Sequence, residues 1–299
     1  MAHENDDVDW ELLLKRIKKG LCTPFLGAGA CYGSLPLGAD VARNWARQYG
    51  YPLEDSGKLE RVSQFVVTQK DGIWPKELFA ELIEQAEPPD FARPDEPHGV
   101  LADLPLPLYL TTNYDDFMTR ALQDRRRDPK RDLCRWNSLT EKLKSVFDGP
   151  AGYEPTVASP VVFHLHGHAG NYASMVLTED DYLDYLVRLS KDWDFLPARI
   201  QRAMTESSLL FLGYGIADWD FRVLFRALVT YLEKSLGHAH VSVQLVPVGP
   251  EASDEQKAQA RRFLDKYYGH MNVRVYWGTC REFAAELRQR WEAAGAARA

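Results

Sequence analysis

An α/β fold, with a parallel sheet covered by helices on both faces, is what the sequence predicts. Short apolar runs recur along the chain, helical periodicities lie between them, and glycines or abrupt polar residues follow the runs directly. The runs cover 21–26, 106–111, 161–165, 208–212, 241–248 and 272–277. Near-continuous apolar runs of this length read as strands buried on both faces, the pattern of parallel sheets. Strands alternating with helices then require right-handed crossovers and a Rossmann-like core.

The helical signals are specific. Tyr182, Tyr185, Leu186 and Leu189 share one face behind Thr178, a candidate N-cap. Phe221, Leu224, Phe225, Leu228 and Leu232 repeat the spacing behind Asp218. Thr279 and Glu282 have capping-box spacing before Phe283, Leu287 and Trp291. Residues 51–100 break the alternation: Leu59, Val62, Phe65 and Val66, then Leu78, Leu82 and Ile83, read as helices before a proline-rich exit at Pro88, Pro89, Pro94 and Pro97. We therefore expect a single domain over 1–299. Its core covers 10–50 and 101–294, a helical insertion at about 51–100 forms a small second subdomain, and a charged, less regular insertion covers about 122–158.

Composition narrows the function classes. The 299 residues are 45% hydrophobic and 26% charged, which excludes global disorder. No apolar run is long enough to span a bilayer, and the acidic N-terminus lacks a secretory pattern, so a cytoplasmic location and no membrane partner are expected. The net charge of -7 argues against direct nucleic-acid binding. The cysteines Cys22, Cys31, Cys134 and Cys280 form no CxxC pair, which argues against a zinc ribbon and fits a reducing compartment.

In open parallel sheets ligands bind beyond the carboxyl ends of the strands, so the residues after each run are the candidates. Gly27-Ala28-Gly29-Ala30-Cys31 follows the first run: a tight structural turn, or one whose backbone N–H groups meet a phosphate. Its third glycine, Gly33, comes one residue too late for a dinucleotide fingerprint. Thr111-Thr112-Asn113-Tyr114-Asp115 follows the second: a helix cap, or an amide that orients a water or sugar hydroxyl. His164-Leu165-His166-Gly167-His168 follows the third: a general base, structural histidines, or a metal site completed by Asp115 or Asp218. Gly213-Tyr214-Gly215 with Asp218, and the closing Gly278-Thr279-Cys280, suit a ribose, phosphate or adenine edge.

Taken in order over roughly residues 10 to 294, these motifs resemble the sirtuin-like superfamily of NAD-consuming domains. The missing CxxC pairs and the helices at 51–100 make the chain similar to the bacterial branch of NAD hydrolases found in anti-phage defence. That resemblance implies NAD as substrate, with no metal, cleaved to ADP-ribose and nicotinamide. It places Gly27, Ala28 and Gly29 at the pyrophosphate, Cys31 at a ribose, Asp115 at the nicotinamide carboxamide, and Gly213, Tyr214, Gly215, Asp218, Gly278, Thr279 and Cys280 around the adenosine half. Asn113 then positions a water or ribose hydroxyl at the anomeric carbon, and His166 takes the proton. The resemblance further implies a gated effector that assembles as a homo-oligomer or with a separate sensor or ATPase protein. The alternatives are a sensor that binds NAD or ADP-ribose without turnover, a protein deacylase, and a metal-dependent hydrolase.

Overall fold

The computed structural model describes residues 8–149, 152–215, 239–248 and 251–296. Seven strands form one sheet: β1 (Cys22–Leu26), β2 (Leu108–Thr111), β3 (Lys130–Leu133), β4 (Val161–His164), β5 (Ser208–Leu212), β6 (His240–Gln244) and β7 (Val273–Trp277). Every pairing is parallel, in the order β3-β4-β2-β1-β5-β6-β7. β1, β2, β4 and β5 are buried at every position, as their unbroken apolar character demands.

Ten α-helices lie among the described residues: α1 (Trp10–Lys18), α2 (Gly38–Tyr49), α3 (Leu59–Gln69), α4 (Trp74–Glu84), α5 (Pro97–Ala102), α6 (Phe117–Asp124), α7 (Glu179–Lys191), α8 (Ala198–Glu206), α9 (Asp254–Gly269) and α10 (Cys280–Ala296). One sheet face carries Tyr185, Leu189, Ile200, Met204, Leu264 and Tyr268 from α7, α8 and α9. The other carries α1, α5, α6 and α10 through residues such as Ile17, Leu101, Leu122 and Phe283. Helices thus cover both faces, as expected. None is long and apolar enough to cross a membrane.

α2, α3 and α4 build a third, smaller core around Val41, Trp45, Val62 and Ala80. It is tied to the first turn of α7, where Lys76 pairs with Asp181 at 2.9 Å and Gln64 exchanges two hydrogen bonds with Asp180. The proline-rich exit contains a helix of its own: Pro97 opens α5, and Glu96 caps it by accepting from Gly99 N–H.

β3 is the element that the sequence reading lacks. Its Lys-Arg-Asp-Leu sequence has no apolar run because it is an edge strand, where charged side chains face water. Its one buried polar side chain, Asp132, accepts from the Ser145 hydroxyl. The helix expected over 221–232 lies outside the described residues.

Candidate active site

β1 stands in mid-sheet, with β2 on one side and β5 on the other. From β1 the chain goes to β2, whereas from β5 it moves outward the other way to β6 and β7. Such a reversal is a switch point, and in open α/β sheets ligands usually bind in a crevice beyond the carboxyl ends of the strands there, here β1 and β5.

The glycines of these two exits pack on each other. Gly27 N–H donates to Leu212 O (2.8 Å) and Gly29 N–H to Gly213 O (2.9 Å). Gly213 has φ +82°, and a side chain there would run into Ala30 N and Gly27 O. These residues are therefore glycine first because two turns meet backbone to backbone. Two N–H groups assigned to a pyrophosphate are spent on that meeting; Ala28, at the exposed corner, has a backbone N–H with no acceptor among the described residues. Tyr214 closes the junction, its hydroxyl donating to Leu26 O (2.8 Å) and pairing with Thr112 Oγ1 (2.9 Å).

Asn113 is held from several sides. Its backbone N–H donates to Thr111 Oγ1, and its side-chain Nδ2 donates to Gly27 O (3.1 Å) and to Cys31 Sγ (3.2 Å). A carbonyl partner can only face an amino group, so the amide orientation is determined. Both donors are committed, and Oδ1 remains as the free acceptor among the described residues. Cys31 does not present its thiol to an open pocket. It is buried, donates to Asp115 Oδ2 (3.3 Å) and accepts from Asn113. Burial, and then the Asp115 carboxylate, push that thiol well up, so it stays protonated. Asp115 also accepts from Phe117 N–H (2.9 Å), a local turn that leads the chain into α6.

Behind Cys31 lies a pair that sequence reasoning missed. His98 is 1% exposed and Glu96 3% exposed. His98 Nδ1 is 2.7 Å from Glu96 Oε1, and His98 Nε2 is 3.9 Å from Cys31 Sγ. Burial pushes the Glu96 carboxyl up; hydrogen bonding and charge from His98 outweigh it and hold the group below its usual range.

The three histidines after β4 have three different environments. His164 is fully buried; its Nδ1 donates to Asn113 O (3.0 Å), and its Nε2 has no hydrogen-bond partner among the described residues. His168 Nδ1 accepts from Gly170 N–H (2.8 Å), and its Nε2 lies between Asp116 Oδ1 (3.1 Å) and Arg131 Nη1 (3.0 Å). His166 stands against the rings of Tyr182 and Tyr185 of α7, and its ring nitrogens make no hydrogen bond among the described residues. Burial alone pushes His166 down to about 3, and burial with the neighbouring His168 does the same to His164. His166 is therefore neutral near pH 7, with a lone pair able to accept a proton. Gly167, at φ +85°, turns the chain against Ser174.

Asp116, His164 and His168 each offer a ligand atom within 4.8 Å of the others, the spacing of a metal site. The acid is Asp116, not Asp115. The Arg131 guanidinium already reaches into this cluster, its Nη1 3.0 Å from His168 Nε2. Arg131 from β3 supplies the positive charge, bonding both Asp116 oxygens at 2.9 and 3.1 Å. Burial raises the Asp116 carboxyl, but His168 and Arg131 outweigh it and hold it well below the carboxylate range.

The SIR2-like domain family matches residues 107–271, more than half of the chain. The chain belongs to the SIR2-like family. It is similar to the NAD(+) hydrolase ThsA of Enterococcus faecium, 25% identical over 71% of this chain and 41% of that protein. It is also similar to the NAD(+) hydrolase ThsA of Acinetobacter baumannii, 22% identical over 93% of this chain and 55% of that protein. It spans about half the length of these relatives. A solved structure from work on the mechanism and regulation of Sir2 enzymes covers 96% of this chain and 98% of its own at TM-score 0.43 and 11% identity.

In this SIR2-like chain the motifs gather at one edge of the sheet. The register pairs Thr111 with His164, so Asn113 and His166 each stand two residues beyond that pair on adjacent strands. Asn113 leans toward β1 and His166 toward α7. The β7 exit joins them: the Cys280 thiol is bonded by the Gly213 backbone, while Thr279 caps α10 by accepting from Glu282 N–H. Gly278 passes close to Tyr276 and Glu282. Beside Cys280, the Arg281 guanidinium stands 3.4 Å from where a Gly33 side chain would begin, without an ion pair or hydrogen bond among the described residues. Gly215 ends the described part of the β5 exit, and Asp218 lies outside it.

Proposed function

We propose that this chain is an NAD glycohydrolase, cleaving NAD to ADP-ribose and nicotinamide, and that it serves as a gated NAD-depleting effector in bacterial defence. The observation that carries the reading is the held amide of Asn113, its Oδ1 free among the described residues, two residues past the end of β2, with His166 two residues past the end of the neighbouring β4. Membership of the SIR2-like family and similarity to proteins named NAD(+) hydrolase support it.

In this reading the dinucleotide lies across the crevice between β1 and β5. Ala28 N–H, the start of the 28–31 turn and Arg281 face the pyrophosphate. Gly213, Tyr214, Gly215 and Gly278–Cys280 border the adenosine half. Asp115 keeps a second lone pair on each oxygen for the nicotinamide carboxamide. Nicotinamide leaves readily because its ring nitrogen is cationic before cleavage and neutral after it. An oxocarbenium-like centre develops, and Asn113 Oδ1 holds a water or ribose hydroxyl against it. That oxygen becomes strongly acidic as it bonds to the cationic carbon. A weakly basic neutral imidazole at His166 therefore suffices to take the proton. Cysteine thiolate chemistry has no place here, because Cys31 is buried and protonated.

The test is nicotinamide release by the purified chain and by Asn113→Ala. Release by the wild type and none by a folded Asn113→Ala is expected; full activity in the variant removes Asn113 from the reaction. Binding of NAD by calorimetry without release, with candidate partner proteins present, selects the sensor instead. Gating by a homo-oligomer or a partner protein predicts that turnover rises steeply with chain concentration or on adding that partner.

A further inference from the structure

Three buried polar groups, Glu96, His98 and Cys31, form a chain that ends on the half-buried Asn113. Glu96 Oε1 holds His98 Nδ1 at 2.7 Å, His98 Nε2 stands 3.9 Å from Cys31 Sγ, and Cys31 Sγ accepts from Asn113 Nδ2 at 3.2 Å. The surroundings are apolar: the rings of Phe91 and Phe117 lie 6.4 and 6.0 Å from that of His98. A buried carboxylate–imidazole pair has a large desolvation penalty, and apolar residues of the same volume often hold a fold as well. Capping α5 explains Glu96 but does not explain His98, whose far nitrogen meets, among the described residues, the sulfur that holds Asn113 and no other polar group.

We infer that Glu96, His98 and Cys31 are positioning residues for Asn113: the sulfur, beside His98 and bonded to Asp115, receives one Asn113 N–H, stops the amide from rocking about its Gly27 O contact and keeps Oδ1 directed at the reacting carbon. The inference rests on the proposed reading for its catalytic meaning, but the positioning is a property of the ligand-free chain. Without the sulfur one amide N–H loses its partner, and the Gly27 O contact alone leaves the side chain free to rock. Serine at 31 provides an acceptor at the same place, whereas alanine provides none. His98 acts one step further away, so its loss relaxes Cys31 rather than removing it.

Two readouts test this. The first is kinetic. Cys31→Ala is expected to lower kcat about tenfold or more with KM within about twofold, since misplacing a positioning group acts on the reacting geometry. Cys31→Ser is expected to recover most of that rate, and His98→Gln to fall between Cys31→Ala and wild type. The second readout needs no turnover. With 15N-asparagine labelling, the Asn113 side-chain amide protons are expected as a separated, slowly exchanging pair that merges toward the solvent-exposed position in Cys31→Ala and moves part of the way in His98→Gln. Wild-type kcat in Cys31→Ala, or an unchanged Asn113 amide pair in both variants, overturns the inference. So does a rise in KM without a fall in kcat, which makes Cys31 a ribose contact. If Cys31→Ala does not fold, by circular dichroism, His98→Gln carries both readouts alone. A wild-type chain that binds no NAD while the amide pair responds as stated sinks the hydrolase reading and leaves the positioning intact.

Discussion

Asn113 shows how one side chain is specified by its neighbours. An asparagine after a strand ordinarily caps a helix, yet here α6 begins four residues later, behind Asp116, and Asp115 Oδ1 takes Phe117 N–H. The amide of Asn113 is released for other work and clamped by Gly27 O and Cys31 Sγ. Beside it, His166→Ala is expected to lower nicotinamide release about a hundredfold, the usual worth of general-base help; a normal rate shifts the base to another group. Because burial holds His166 near 3, the rate of the folded protein should stay flat from pH 8 down to about pH 5.5. A rate that halves near pH 6.5 would show instead that the working imidazole is solvated. At Gly213 a methyl group meets Ala30 N and Gly27 O, and the backbone at φ +82° disfavours any side chain. Gly213→Ala should therefore lower unfolding free energy by about 2–4 kcal/mol in urea titration.

At the scale of elements, legibility followed burial. The interior strands announce themselves as apolar runs, and their observed limits differ from the expected ones by a residue or two at most places; β6 is the exception, ending at Gln244 because the Leu-Val-Pro-Val that follows is a loop. β3 was invisible for the converse reason: a four-residue edge strand of Lys, Arg, Asp and Leu carries no hydrophobic signal. Its contribution to the site is Arg131, which holds Asp116 and with it His168. Capping chemistry read well. Thr178 and Asp181 form the reciprocal box at the start of α7, the helix that also supports His166. Thr178→Ala should cost about 1 kcal/mol and lower Tm by a few degrees; no change in Tm would mean that the docked helical insertion, through Lys76 and Gln64, already determines that end.

Across the whole molecule, the buried imidazoles set the response to acid. His164 and His166 sit near 3 when folded, against 6.5 as the ordinary value. Between those values the unfolded chain binds protons that the folded chain refuses. Stability is therefore lost as pH falls below 6.5, by on the order of 2 kcal/mol for each imidazole at pH 5. Glu96 acts in the same direction at lower pH: its folded carboxyl is held below the unfolded one, so its contribution is present above the ordinary carboxylate range and disappears beneath it. Urea midpoints at pH 7.5, 6 and 5 should fall progressively; a constant midpoint would mean that those imidazoles are hydrated and proton-accessible in solution.

The linear chain was enough to establish a parallel α/β sheet, the helices of the 51–100 segment and the loops that follow its strands, since each follows from local periodicity, capping and turn composition. It was silent on how those loops divide the work. That Gly27 and Gly29 serve Gly213, that Cys31 holds Asn113 while His98 and Glu96 stand behind it, and that Arg131 neutralises Asp116 depend on groups 15 to 186 positions apart. Such contacts exist only once the sheet order brings the strand exits together, and nothing in local spacing records which donor will meet which acceptor.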